Sequence, residues 1–321
     1  MLEVAIANLT SPPVLAFALG LLAVSLKSDL RLPEPVYQAL SIYLLLGIGI
    51  KGGVALSSAS LMDVVWPLLS VMLLGTLIPF AAFYFLGALT KLDVVNRGAL
   101  AAHYGSTSLV TFSAALIFLE AQSIPYEGFV TTLLAVMEIP GIVVGLLLAG
   151  RGISRKLNWA ESLREVLTGR SILLLAGGLL LGLLTGSTGY ARIEPFFGSL
   201  FTGVLTLFLL EMGIVAGRRL PDIRQAGFGL VGFALAFPLV AGTSGIVVAQ
   251  ISGMGVGGSA VVGVLAASAS YIAAPAAVRL AIPEASPGIY LTASLGITFP
   301  FNLIFGIPIL VSLSGLLGGL F

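Results

Sequence analysis

The sequence predicts an all-α polytopic membrane protein with ten transmembrane helices, arranged as a 5+5 inverted repeat in which helices 4 and 9 are discontinuous. Three observations lead there. Apolar residues make up 58% and charged residues 9% of the 321 positions, whereas a soluble domain carries charge on roughly a quarter of its residues. Runs such as 64–89, 171–190 and 227–252 reach the ~20 residues that a bilayer crossing needs. Finally, Gly98-Ala99-Leu100-Ala101-Ala102 recurs as Gly263-Val264-Leu265-Ala266-Ala267. Each copy opens an apolar segment broken midway by small polar residues, the doubling expected of a secondary transporter.

Taken in order, the first span covers 12–26. Glu3 and the lack of a basic stretch before it argue for a retained helix over a cleaved signal. Around the end of span 2, 35–50, Gly49 and Gly53 are echoed by Gly213 and Gly217 around the end of span 7, 196–216. Spans 3 (64–89) and 8 (227–252) carry Pro67, Pro79 and Pro238, expected to bend them. Span 4 (98–119) is interrupted by His103-Tyr104-Gly105-Ser106-Thr107-Ser108, and span 9 (259–278) by Ser268-Ala269-Ser270-Tyr271, where Pro275, lacking an N–H, is expected to break the helix near 271–275. Spans 5 (128–149) and 10 (288–320) share a proline, Pro140 and Pro300, and span 6 runs over 171–190.

Charge placement tests the count. With the loops after spans 1, 3, 5, 7 and 9 on one side, that side holds every one of the 15 lysines and arginines except Lys51 and Arg192. Basic loops stay cytoplasmic, so both termini are expected outside a plasma (inner) membrane. An odd number of spans per half forces the halves to enter the bilayer in opposite senses. The expected division is a first repeat at 1–150, a cytoplasmic link at 151–170 and a second repeat at 171–321. In the link, Leu157, Ala160, Leu163 and Leu167 recur at helical spacing beside Arg155, Lys156 and Arg164, so it reads as an amphipathic helix with Trp159 at headgroup level.

The two interruptions are where chemistry is expected. Irregular backbone survives at membrane depth only when it is buried in protein or lines a cavity. Gly105 loosens the helix, and the hydroxyls of Ser106, Thr107, Ser108 and Thr111 pair with freed amides or offer oxygens to a hard cation such as sodium. Helix N-termini at the breaks favour a small anion. Ser268, Ala269, Ser270 and Tyr271 form the matching substrate-binding stretch. Of the acids inside spans, Glu138 beside Pro140 is the better candidate to neutralise a cation, and Glu211 the second. His103, the single histidine, offers a route to proton coupling.

Several classes are excluded. The chain has no cysteine, no cluster of His, Asp and Glu at metal spacing, no nucleophile elbow and no phosphate loop, so neither an enzyme nor an ATP-driven pump is supported. No organic cofactor is expected, and a net charge of +1 gives no nucleic-acid-binding face.

The chain resembles the cyanobacterial-type sodium-dependent bicarbonate transporter family. The likeness rests on the broken span 4, on Met137-Glu138-Ile139-Pro140 where the family has Met-Asp-Ile-Pro, and on Ala266-Ala267-Ser268-Ala269-Ser270. It continues through Arg279, Ile282-Pro283, Ser286-Pro287 and Tyr290. Gly105, Ser108, Thr111, Ser268 and Ser270 match the family by position, which implies ion binding at Ser108, Thr111, Glu138, Ser268 and Ser270. The resemblance implies a core of spans 3–5 and 8–10 moving against a gate of spans 1, 2, 6 and 7, and sodium-driven bicarbonate uptake. It also implies a homotrimer and, in the cyanobacterial members, a PII-like regulator. Two departures stand out. Tyr271 replaces an acidic residue and Ala269 and Ala273 replace hydroxyls, leaving fewer oxygens for sodium. The long cytoplasmic insert between the halves is reduced to 151–170. Two other readings fit the residues: a proton-coupled permease for another small organic anion, and a membrane sensor on the same fold that transports nothing.

Overall fold

The computed structural model describes residues 8–153 and 159–319. Helices α1 (Pro12–Ser25), α2 (Glu34–Ser58) and α3 (Leu61–Leu89) come first, followed by α4 (Val94–Gly105) and α5 (Leu109–Ala121), which continue one another across a three-residue gap. Next come α6 (Val130–Gly150), α7 (Trp159–Thr168) and α8 (Arg170–Ala191). Then α9 (Pro195–Ile223) and α10 (Ala226–Ile251) follow, with α11 (Val256–Ala267), α12 (Ala273–Ala281) and α13 (Pro287–Leu317). No strand occurs among the described residues. Among the described residues eight helices are long and apolar enough to cross a membrane, counting α4 with α5 as one; α1 and α11 are shorter apolar helices.

Glycine sets the tightest helix pairings. Along α2 and α8, a Cβ on Gly49 would lie 2.6 Å from the Leu175 carbonyl, one on Gly53 2.0 Å from that of Leu179, and one on Gly182 2.1 Å from that of Ile50. Residue numbers rise together on both helices, so α2 and α8 run parallel. The α1–α9 pair repeats the pattern: a Cβ on Gly213 would lie 2.1 Å from the Phe17 carbonyl and one on Gly20 2.2 Å from that of Leu210. Between α4 and α6 the order is antiparallel, with Gly98 on Ala149, Ala102 on Gly145 and Gly105 on Gly141. Small residues at such spacing let backbones touch, the usual source of helix association where lipid removes the hydrophobic drive.

The interrupted helix lies at the centre. In the most apolar stretch of Val94–Ala121, 89% of residues are buried, against 17% in Arg170–Ala191. Asp93 caps α4 by accepting the Asn96 amide at 2.8 Å, and α4 stops at Gly105. Pro275 does not itself break the second interrupted helix. It sits in the first turn of α12, where a missing N–H costs nothing, so the open stretch lies earlier, at 268–272.

Two features depart from the expected spans. The helix expected to end at 216 continues to Ile223, and the turn into α10 is made at Gly227 (φ 76°, ψ 152°), a conformation open to glycine. In α13 the backbone widens into π-turns at Thr292–Thr298 and Asn302–Gly306 around Pro300, as helices do when a proline removes a donor. In the link, Val166 of α7 is buried while Leu163 and Leu167 are exposed, and α7 packs on α12. Arg155, Lys156, Leu157 and the Trp159 side chain lie outside what the structure describes.

Candidate substrate and ion site

The two open stretches meet. Ser106 (φ −96°, ψ 164°), Ser108 (φ −108°, ψ 112°) and Ser268 (φ −82°, ψ 163°) are all extended, and extended backbone leaves its amides free to bond sideways. The Ser108 amide donates to the Ser268 hydroxyl at 2.9 Å, and the Ser270 amide donates to the His103 carbonyl at 2.8 Å. The stretches therefore tie to each other, as buried backbone in an apolar surround must.

Side chains satisfy further groups of the breaks. The Ser268 hydroxyl donates to the Leu265 carbonyl at 2.8 Å. The Ser108 oxygen caps α5, accepting the Thr111 amide at 3.2 Å and the Thr111 hydroxyl at 2.9 Å. The Ser270 hydroxyl accepts the Ala274 amide at 3.1 Å, at the start of α12. From α13, the Asn302 amide group donates to the Ala267 carbonyl at 2.7 Å, closing the end of α11.

A small cavity opens beside this crossing. Thr107, Ser108, Ser270, Tyr271 and Glu138 line it, with Leu45 of α2 and Ser171 and Leu175 of α8 on the facing wall. About 10 Å³ is open to the centre of a water-sized sphere, room for one water or a bare cation. Glu138 is 5% exposed and makes no hydrogen bond or ion pair with another described residue. A carboxylate so buried is costly unless something else compensates its charge. The Tyr271 hydroxyl is also buried and, although near Ser108, completes no hydrogen bond of normal geometry.

The remaining candidate residues sit behind this wall. Gly105 is wedged between α3 and α6, where a Cβ would lie 2.5 Å from Pro79 Cγ and 2.9 Å from Gly141 Cα, so it serves close packing. The Ser106 hydroxyl is buried without a partner; Ala269 is buried. Thr111 and Ser268 spend their hydroxyls on the bonds described above. Glu211 faces elsewhere and accepts the Leu32 amide at 2.9 Å, anchoring the link between α1 and α2.

His103 is buried away from the cavity. Its Nδ1 lies 2.7 Å from the Ala99 carbonyl, which only accepts, so Nδ1 carries a proton. The ring stacks on Tyr290 at 4.3 Å. Sequence reasoning missed Leu45, Ser171 and Leu175. Apolar residues and one serine on regular helices give no signal until a neighbouring helix presents them to the break.

Two wider spaces flank the cavity along the α2–α8 direction. One of about 310 Å³ beside Arg170, Ala273 and Ala277 shares Ser171 and Ile272 with it. The other, about 190 Å³ around Lys51 and Glu120, shares no lining residue with it.

Among the described residues no three His, Asp or Glu side chains gather in a metal-binding group. One carboxylate among hydroxyls is instead a donor set of the hard-oxygen kind that alkali cations accept. No curated protein matches the chain. The family model of the Na+-dependent bicarbonate transporter superfamily matches residues 12–314, nearly its whole length, and the chain belongs to that superfamily.

Proposed function

We propose that this protein takes up bicarbonate, or a closely similar small anion, by sodium-coupled alternating access. The observation that carries the reading is Glu138, a buried carboxylate without a partner among the described residues, in a cavity lined by hydroxyl residues from both interrupted helices. Sodium seated there offsets the carboxylate's charge. With the cation in place, the carboxylate no longer repels an anion that enters the wider space bordering the cavity. Ordered binding of this kind is what couples the two solutes.

The glycine contacts support ten spans in two inverted halves. Pairing α2 with α8 and α1 with α9 through Gly49, Gly53 and Gly213 is the relation a pseudo-two-fold axis in the membrane plane produces. In this reading, α3–α6 and α10–α13 are the moving core, and α1, α2, α8 and α9 are the gate that supplies Leu45, Ser171 and Leu175. The wall of Ser171 and Ile272 that the cavity shares with the space beside Arg170 supports access from the arginine-rich side, the cytoplasmic one in this reading. His103 lies off this route, so a proton-coupled variant of the mechanism would run through Glu138.

The test is uptake of labelled bicarbonate into proteoliposomes under an inward sodium gradient, a proton gradient, or neither. Stimulation by sodium alone is the expected result. Proton-driven uptake of another anion without sodium-stimulated bicarbonate uptake overturns the reading, as does binding without flux.

A further inference from the structure

The wider cleft on the far side of the cavity from Arg170 has its own chemistry. Lys51 lies about six residues beyond Leu45 on α2, or ~9 Å along the axis, while Arg170 lies about five residues before Leu175 on the parallel α8. The cavity therefore sits between the two cations. Lys51 is one of only two basic residues that the loop-charge pattern places away from the arginine-rich face.

Its surroundings are unusual for an ammonium in an apolar helix. The Nζ rests 4.7 Å from the Phe201 ring centre, and no carboxylate among the described residues comes within ion-pairing distance. Glu120 and Glu194 lie close enough to act on it electrostatically. Glu194 accepts the Ser199 hydroxyl at 3.2 Å and does not line the cleft. Glu120 does line it, as Lys51 does. One carboxylate oxygen accepts the Tyr126 hydroxyl at 2.8 Å, and burial, then Glu120, pushes the Tyr126 phenol above its ordinary value, so that hydroxyl stays a donor. A further carboxylate oxygen is left for another donor.

The cleft thus presents a cation and a hydrogen-bond acceptor that are not paired with each other, both lining a space of about 190 Å³. Lys51 and Phe201 come from α2 and α9, and Glu120 from α5, so the two groups belong to different parts of the helix bundle. A plain anion such as chloride or nitrate satisfies the ammonium but is repelled by the carboxylate. An oxyanion that keeps one acidic proton satisfies both: its charged oxygen faces Lys51 and its O–H donates to Glu120.

We propose that the Lys51–Glu120 cleft is a second recognition site, selecting a monoprotonated oxyanion such as bicarbonate before it reaches the cavity at the interrupted helices. This rests on the transport reading for its purpose, though not for its chemistry.

Two measurements test it. In uptake assays, Lys51→Gln should raise the KM for bicarbonate about tenfold with the maximal rate nearly kept, the size of one lost charge-assisted contact, and Lys51→Arg should restore most of it. Glu120→Gln should let nitrate compete where it does not in the natural protein. The second measurement needs no transport. The chain has no cysteine, so Thr202→Cys places a single thiol on the cleft wall, and its rate of reaction with an anionic thiosulfonate is followed. Bicarbonate at millimolar concentration should slow labelling, nitrate should not, and Lys51→Gln should abolish the protection. Absence of protection, or equal protection by nitrate, overturns the proposal. Protection without any uptake leaves this site standing and removes the transport reading instead.

Discussion

The backbone amide of Ser270 donates to the carbonyl of His103 at 2.8 Å, so the open stretch of one interrupted helix is held by the last turn of the other. With the Ser108–Ser268 bond beside it, this crossing is the frame on which the cavity is built. Both bonds are buried and carried by backbone amides, so neither is replaced by water when lost.

Ser268→Ala is expected to remove the acceptor of the Ser108 amide and leave it orphaned, at a cost of about 1–3 kcal/mol. A lower melting temperature in detergent should accompany reduced uptake. An unchanged melting temperature would mean that the two stretches do not depend on this bond.

For Glu138→Gln the two effects separate. Removing an uncompensated buried charge should leave the sodium-free protein equally or more stable, while sodium stimulation of uptake falls by at least about tenfold, the scale of one lost charge contact. Thermal unfolding with and without sodium should show a sodium-dependent rise only in the natural protein. The same rise in the variant would place the ion elsewhere.

Tyr271→Phe removes a buried hydroxyl that completes no hydrogen bond. Stability should hold or increase slightly, since no partner is stranded. If substrate meets the phenol, the KM for bicarbonate rises; an unchanged KM restricts Tyr271 to shaping the wall.

Glycine positions give a graded stability series. Gly53→Ala and Gly213→Ala place a methyl 2.0 and 2.1 Å from carbonyl oxygens of the paired helix, and each should cost at least about 1–3 kcal/mol through forced separation. Gly177→Ala meets nothing within 4 Å and should stabilise by about 0.5–1 kcal/mol. Equal melting temperatures across the three variants would dismiss the close packing described for α1–α9 and α2–α8.

Much of this arrangement was legible in the sequence because membrane physics narrows the choices. Gly105-Ser106-Thr107-Ser108 and Ser268-Ala269-Ser270 are runs that a buried helix rejects unless its backbone finds other partners, and both runs are where helix gives way. Position along the chain does not reveal which side of a break a residue occupies. Gly105 therefore reads as a wall of the pocket, although its neighbours Pro79 and Gly141 leave it no room there. Pro275 reads as the breaker, whereas a proline in a first helical turn is merely tolerated. Glu211 reads as a possible partner for a cation until the loop carrying Leu32 folds over it. Leu45, Ser171 and Lys51 depend on contacts between distant helices, which no local pattern records.

The crossed serine stretches also limit what motion can do. Ser108 and Ser270 are tied by hydrogen bonds across the two interrupted helices, while Leu45 and Leu175 belong to a glycine-locked pair that, in the proposed alternating access, moves as its own block. Under that proposed motion, a displacement between the blocks would carry the cargo berth whole and change only the greasy shutter facing it. Affinity would then be set by the berth and leak by the shutter, so variants at Leu45 or Leu175 should loosen coupling while leaving ligand recognition unaltered.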